Sequence, residues 1–179
     1  MPELAEVEYY RKQWIPGHGQ TVVRVQLHAD KRIFRGVNTA SLKRGLKSQK
    51  LERSETHGKQ MVFVFGEQHW LGLHLGMTGK TSTQDGDYKT GKHDHLVLEM
   101  DSGAKLVFND SRLFGRIRYS RSTSPPDWWS GLPPSVLSAA FTRQHMEDFL
   151  KRRARSPVKA VLLMQEAFPG VGNWMADEI

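Results

Sequence analysis

The chain has 179 residues, 38% hydrophobic and 25% charged, and its 26 Lys and Arg against 19 Asp and Glu give a formal net charge of +7. That is room for one domain, or one and part of a second, with a real core, and the excess of base suits a polyanionic partner such as nucleic acid. No apolar run approaches the roughly 18 residues of a membrane helix, no basic-then-apolar leader opens the chain, and the absence of cysteine excludes a disulfide framework or a thiolate metal site.

At the start, Leu4, Val7 and Trp14, with Tyr10 nearby, recur at helical spacing. The pattern predicts an amphipathic helix over residues 3–14, with Pro2 at its first position and Glu3, Glu6 and Glu8 at its positive end. After Gly17 and Gly19, Val23, Val25 and Leu27 alternate with Arg24, Gln26 and His28, the period of a half-buried strand. Further runs rich in β-branched and aromatic residues follow at 61–65, 70–75, 95–100, 105–108 and 116–119, separated by turns such as Gly66-Glu67 and Asp101-Ser102-Gly103. Closely spaced strands of this kind predict an antiparallel β-sandwich or barrel, and with the helices an α+β class.

The character changes over residues 122–134, where Ser, Pro and two adjacent tryptophans read as a linker, dividing the chain into 1–130 and 131–179. Val136, Leu137, Ala140, Phe141, Met146, Phe149 and Leu150 mark one helix, and Ser156-Pro157 opens another running to about residue 165. Gly170-Val171-Gly172-Asn173 then reads as a tight turn, with Asn173 capping a third helix that begins at Trp174. Less than two turns of that helix precede Ile179, so the sequence reads as a piece of a longer protein.

Chemistry concentrates at the N-terminus. Removal of Met1, which the small proline ring permits, leaves Pro2 with a free secondary amine, able to attack an aldehyde-like carbon and collapse to an iminium as Schiff-base lysines do. The positive end of a helix disfavours its ammonium form, while Glu3 and Glu6 pull the other way. By itself Met-Pro-Glu is most often a helix start and nothing more.

The whole opening, Met1-Pro2-Glu3-Leu4-Ala5-Glu6-Val7-Glu8, resembles the N-terminus of the formamidopyrimidine-DNA glycosylase and endonuclease VIII family. His74-Leu75-Gly76-Met77-Thr78-Gly79 resembles that family's loop with a base-displacing Met, and Lys92-His93-Asp94-His95 its DNA-contacting segment. Asn109-Asp110-Ser111-Arg112-Leu113-Phe114-Gly115 is similar to its intercalation loop, and residues 170–179 to the start of its helix-two-turn-helix. The motifs occur in family order over essentially all of the chain. Ala5 stands where the family usually has a second proline, and Ala154 where many members have a DNA-contacting lysine, although Arg153 and Arg155 flank it.

The resemblance implies Pro2 as the nucleophile on C1′ of a damaged nucleotide, Glu3 as the acid that assists opening of the deoxyribose, Glu6 in support, and Lys59 binding phosphate and assisting elimination. Met77, Arg112 and Phe114 fill the space left by an extruded base, pair with the orphaned partner and wedge the stack. His74, His93, Arg153, Arg155 and Asn173 are expected on phosphate. The implied function is a bifunctional glycosylase and abasic-site lyase for oxidised purines, formamidopyrimidine and 8-oxoguanine, acting on double-stranded DNA as a monomer in the cytoplasm, without a membrane. The alternatives are a non-catalytic damaged-DNA-binding module and an endonuclease VIII-like enzyme for oxidised pyrimidines. No cofactor or metal is expected in this segment; relatives carry a zinc finger or a zinc-free hairpin further on.

Overall fold

The computed structural model describes all residues 1–179. Its helix α1, Leu4–Lys12, is followed by strand β1 (Val22–Leu27) and helix α2 (Thr39–Leu46). Strands β2 (Leu51–His57), β3 (Gln60–Phe65), β4 (His69–His74), β5 (Lys80–Gln84), β6 (Asp94–Met100), β7 (Lys105–Asn109) and β8 (Arg116–Arg121) follow. They form two antiparallel four-stranded sheets, ordered β1-β6-β7-β5 and β2-β3-β4-β8. A core of 21 buried residues lies between them, including Phe63, Phe65, Leu73, Leu98 and Phe108. The expected sandwich is therefore present, with three elements the periodicity did not reveal. Strand β2 (LERSETH) and edge strand β5 (KTSTQ) are too polar to show a strand signal, and α2 buries only Leu42 and Leu46 behind its Asn38 cap.

Two details of the strand reading are corrected. A bulge between Val22 and Arg24 shifts the phase of β1, so Val22 and Val25 point inward while Val23 is 48% exposed. Strand β3 is buried on both faces because the 122–134 stretch is not a free linker. There a short helix α3, Asp127–Ser130, lays Trp128 and Trp129 over Val62, Val64 and Trp70, and Trp128 Nε1 donates to Ser120 Oγ at 2.9 Å.

Helix α1 closes the open edge of the sandwich. Glu8 takes a bidentate bond from Arg11 and another from Thr56 on β2, while Thr81 and Thr83 on β5 donate to the carbonyls of Tyr10 and Gln13. The helix is shorter than its hydrophobic pattern: Glu3 is extended, so Leu4 is the first helical residue and Pro2 lies outside the helix. Beyond Lys12 the chain tightens to a 3-10 turn, Ile15–Gly17, and Trp14 is driven wholly into the core.

The last fifty residues are helical around a second, smaller core of Phe149, Val161, Ala167, Phe168, Val171 and Ala176. Helix α4, Arg143–Arg152, begins only at Thr142, whose hydroxyl caps the His145 N–H; residues 136–141 form turns, and Leu137 is 79% exposed. Helix α5 is Val158–Leu162, shorter than expected, and α6 is Asn173–Glu178. No helix is long and apolar enough to cross a membrane.

Trp14 joins both sheets, its ring centroid 4.6 Å from that of Phe63 and its Nε1 donating to the Val107 carbonyl at 3.3 Å. Trp14→Ala is expected to cost about 3–5 kcal/mol, read as a drop in the urea midpoint.

Candidate nucleic-acid interface and reactive amine

Two clusters of the expected residues form at one end of the sandwich. In the first, α1 meets α6. The Leu4 N–H donates to the Gly170 carbonyl at 3.2 Å. The Glu3 carboxylate then accepts the Trp174 N–H on one oxygen at 2.8 Å and the Met175 N–H on the other at 3.0 Å, while the Glu3 N–H donates to Glu6 at 3.0 Å. Free N–H groups at a helix start want an acceptor, and a carboxylate suits the positive end of the dipole. Asn173 is thus corrected: it is the first residue of α6, exposed, and Glu3, 171 positions from Trp174, is the acceptor for the helix. Gly172 makes the approach possible, since a Cβ there would sit 2.2 Å from the Glu3 carboxyl carbon. A cleft of about 480 Å³ opens between Met1, Glu3 and Glu6 on one side and Asn173 and Trp174 on the other, with half-buried Pro2 adjoining in the chain.

Lys59 belongs to the same region. It sits in the two-residue turn between β2 and β3, where Gly58 lies against Pro169 and Gly170. It is 6% exposed and its Nζ has no hydrogen-bond partner. Burial pulls its pKa below the ordinary lysine value, with Glu3 opposing the shift. Next to it in register, His74 ends β4 between Gln60 and Arg116. Its Nδ1 accepts the Gly76 N–H at 3.1 Å, which assigns the ring proton to Nε2. Burial, then the charges of Lys59, Arg118 and Arg116, lower the pKa of His74 and keep the ring neutral.

The second cluster is a pair of touching loops. Met77 is 48% and Phe114 45% exposed, and Arg112 is exposed; Met77 and Phe114, large and apolar, are therefore surface residues. Fully buried Asp110 joins the loops: Oδ1 accepts from the Thr78 hydroxyl at 2.7 Å and the Arg112 N–H at 3.2 Å, and Oδ2 from the Gly115 N–H at 2.7 Å. Gly76, at φ +62°, lies so close to Phe114 that a Cβ would be 2.4 Å from its carbonyl carbon. Half-buried His93 stands behind, its carbonyl accepting the Asp110 N–H at 3.0 Å. Asp110 had no expected role of its own, although an aspartate that can accept the N–H two residues on is a recognisable loop signal in the sequence.

Arg153 and Arg155 are not drawn into either cluster. Arg153 is engaged with Glu166 at 3.4 Å and lies over the Phe149 ring, and Arg155 is exposed. No group of three or more His, Cys, Asp or Glu side chains is placed to hold a metal ion.

Residues 1–117 match the model of the formamidopyrimidine-DNA glycosylase N-terminal domain. The chain belongs to the formamidopyrimidine-DNA glycosylase family. Formamidopyrimidine-DNA glycosylases of Exiguobacterium sibiricum and Solibacter usitatus are 34% and 37% identical to it over 99% of its length, covering 65% and 64% of theirs. The chain thus spans a little under two thirds of these curated relatives. Among solved structures, Lactococcus lactis formamidopyrimidine-DNA glycosylase, bound non-covalently to DNA containing an AP site, superposes with a TM-score of 0.83 at 26% identity, over 98% of this chain and 66% of that one. The MutM protein of Thermus thermophilus gives 0.75 at 32% identity, over 99% and 62%.

A buried ammonium without a partner costs stability in the free protein. The folded state binds fewer protons than the unfolded one just below the ordinary lysine pKa, so stability rises with pH through that window. Lys59→Met should stabilise the protein by about 1 kcal/mol at neutral pH and flatten that rise, both read from urea unfolding at a series of pH values.

Proposed function

We propose that this glycosylase-family protein excises oxidised purines, formamidopyrimidine and 8-oxoguanine, from double-stranded DNA and then cleaves the abasic strand, using Pro2 as the nucleophile. One observation carries the reading: the carboxylate that follows Pro2 holds the start of α6, beside a buried ammonium with no partner of its own. A protein that only bound DNA would have no need to bury a lysine unpaired within the field of the carboxylate that follows Pro2. The same frame puts the protein at the DNA of the cell, in the cytoplasm or nucleoid.

With Met1 removed, the Pro2 nitrogen attacks C1′ as the bond from C1′ to the damaged base breaks. The base leaves with the bonding pair and takes a proton from solvent; Glu3 relays to the ring oxygen the proton that the Pro2 amine sheds on attack, the C1′–O4′ bond breaks as the deoxyribose opens, and the nitrogen lone pair forms an iminium. A secondary amine gives this cation without further protonation, and the cation is the electron sink for loss of the C2′ proton, after which the C3′–O bond breaks by elimination. Lys59 neutralises a phosphate flanking the lesion, which gives its ammonium the partner it lacks. His74 donates from Nε2, and Asn173 and His93 add phosphate contacts. Arg153 and Arg155 supply longer-range attraction from the helical part.

Extruding a nucleotide costs a few kcal/mol of stacking. Met77 fills the vacated space, Arg112 bonds the orphaned base and Phe114 wedges the step. This loop favours purine lesions over the oxidised pyrimidines of the endonuclease VIII type.

Borohydride should trap the natural full-length protein, with a verified free Pro2, on a duplex carrying one oxidised guanine. Retaining Met1 or acetylating Pro2 should abolish the adduct, and Glu3→Gln should slow base removal more than cleavage at a preformed abasic site. A free Pro2 that gives no adduct would leave a DNA-binding module instead.

The wedge has its own signature, because abasic DNA needs little unstacking. Phe114→Ala should slow excision by about tenfold or more and abasic cleavage much less, with the thermal midpoint unchanged, as measured by single-turnover kinetics and thermal unfolding.

A further inference from the structure

Between β1 and α2 the chain makes one 3-10 turn, Arg32–Phe34. Ile33 and Phe34 are buried in the sandwich core, which anchors the turn and leaves Arg32 exposed beside the Phe114 loop. Its guanidinium makes three contacts there. Nε donates to the Leu113 carbonyl at 2.6 Å, a terminal nitrogen donates to the Arg112 carbonyl at 3.1 Å, and the guanidinium carbon lies 4.7 Å from the centre of the Phe114 ring. No carboxylate lies within salt-bridge distance of it.

The loop it holds is a strained one. Leu113 has φ +58°, a left-handed conformation that a branched side chain adopts only when its surroundings impose it. Arg32 bonds the carbonyls on both peptide units around this residue's strained step, and a planar fork suits two adjacent carbonyls as a point charge does not. Arg112 also lies over the Phe114 ring, at 4.8 Å. Two cations therefore lie against the ring, one of them the residue assigned above to the orphaned base.

We propose that Arg32 is the positioning residue of the wedge. It fixes the backbone of 112–114 and keeps the Phe114 ring in place, so that Arg112 can leave the ring for the unpaired base without the wedge collapsing. The inference rests on the proposed function, since it assigns the loop the task of unstacking DNA. It separates Arg32 from an ordinary surface arginine that neutralises a phosphate, which would act on affinity rather than on the extrusion step.

The test uses the full-length protein, an oxidised-guanine duplex and a matched duplex with a preformed abasic site, at saturating enzyme in single turnover. Arg32→Ala should slow excision about tenfold, as expected for loss of two hydrogen bonds from a charged donor, and at least fivefold more than it slows abasic cleavage. Arg32→Lys, which keeps the charge and loses the fork, should show the same selectivity to a smaller degree. In a Phe114→Ala background, Arg32→Ala should change excision by less than about twofold, because coupled residues are non-additive. The salt slope of binding should be unchanged. Equal slowing on both substrates, additive effects with Phe114→Ala, or a salt slope reduced by about one unit, the mark of a lost phosphate contact, would overturn the proposal. If the unsubstituted protein is inert on both duplexes and gives no borohydride adduct, the proposed function itself fails, a result distinct from failure of Arg32 alone.

Discussion

A carboxylate held by two backbone N–H groups is the contact on which the rest of the arrangement depends. Glu3 reaches the start of α6 and satisfies the Trp174 and Met175 N–H groups with its two oxygens. Without it those donors would face the cleft unpaired, and the helical part would be tied to the N-terminus mainly through the Leu4–Gly170 backbone bond. Hydrogen bonds to a charged acceptor are the stronger kind, and at a helix start the dipole adds to them. The same carboxylate belongs to the residue after Pro2. A contact that ties the helical part to the N-terminus therefore also positions the backbone next to Pro2.

Around that contact the molecule stores cost at the places where DNA would be engaged. Lys59 is buried without a partner, Leu113 is strained, and Met77 and Phe114 leave much of their apolar surface in water. Each is unfavourable in the free protein; a phosphate would give Lys59 a partner, and a base stack would cover Met77 and Phe114. Structural regions show the opposite pattern. Asp110 is fully buried with its oxygens engaged by both loops, and Trp14 is fully buried with its indole N–H satisfied. Rigid support under strained loops is what a preorganised site requires.

Much of this was legible in the chain. Strands β3, β4, β6 and β7 show as runs rich in β-branched and aromatic residues because both of their faces are buried, and the family motifs stand in order from Pro2 to Asn173. Strands β2 and β5 were not legible, because edge strands carry polar residues on both faces and produce no alternation. Val23 was misplaced because a bulge inserts one residue and reverses the phase, which no periodicity can show. The tryptophans of the supposed linker were misread because their partners, Val62, Val64 and Trp70, lie on a sheet face that the sequence cannot identify as needing a cover.

By itself the sequence determined the α+β class and the family, and it named the candidate site residues, since these depend on side-chain type and local order. Only the tertiary structure decided that Glu3 rather than Asn173 serves the start of α6, that Lys59 is left without a partner, and that Arg32 holds the Phe114 loop. The first and the last are relations between residues far apart in the chain, 171 positions for Glu3 and Trp174 and 81 for Arg32 and Leu113, and the burial of Lys59 is set by the packing around it. Local propensity carries no information at such separations; the burial of a common core brings the partners together.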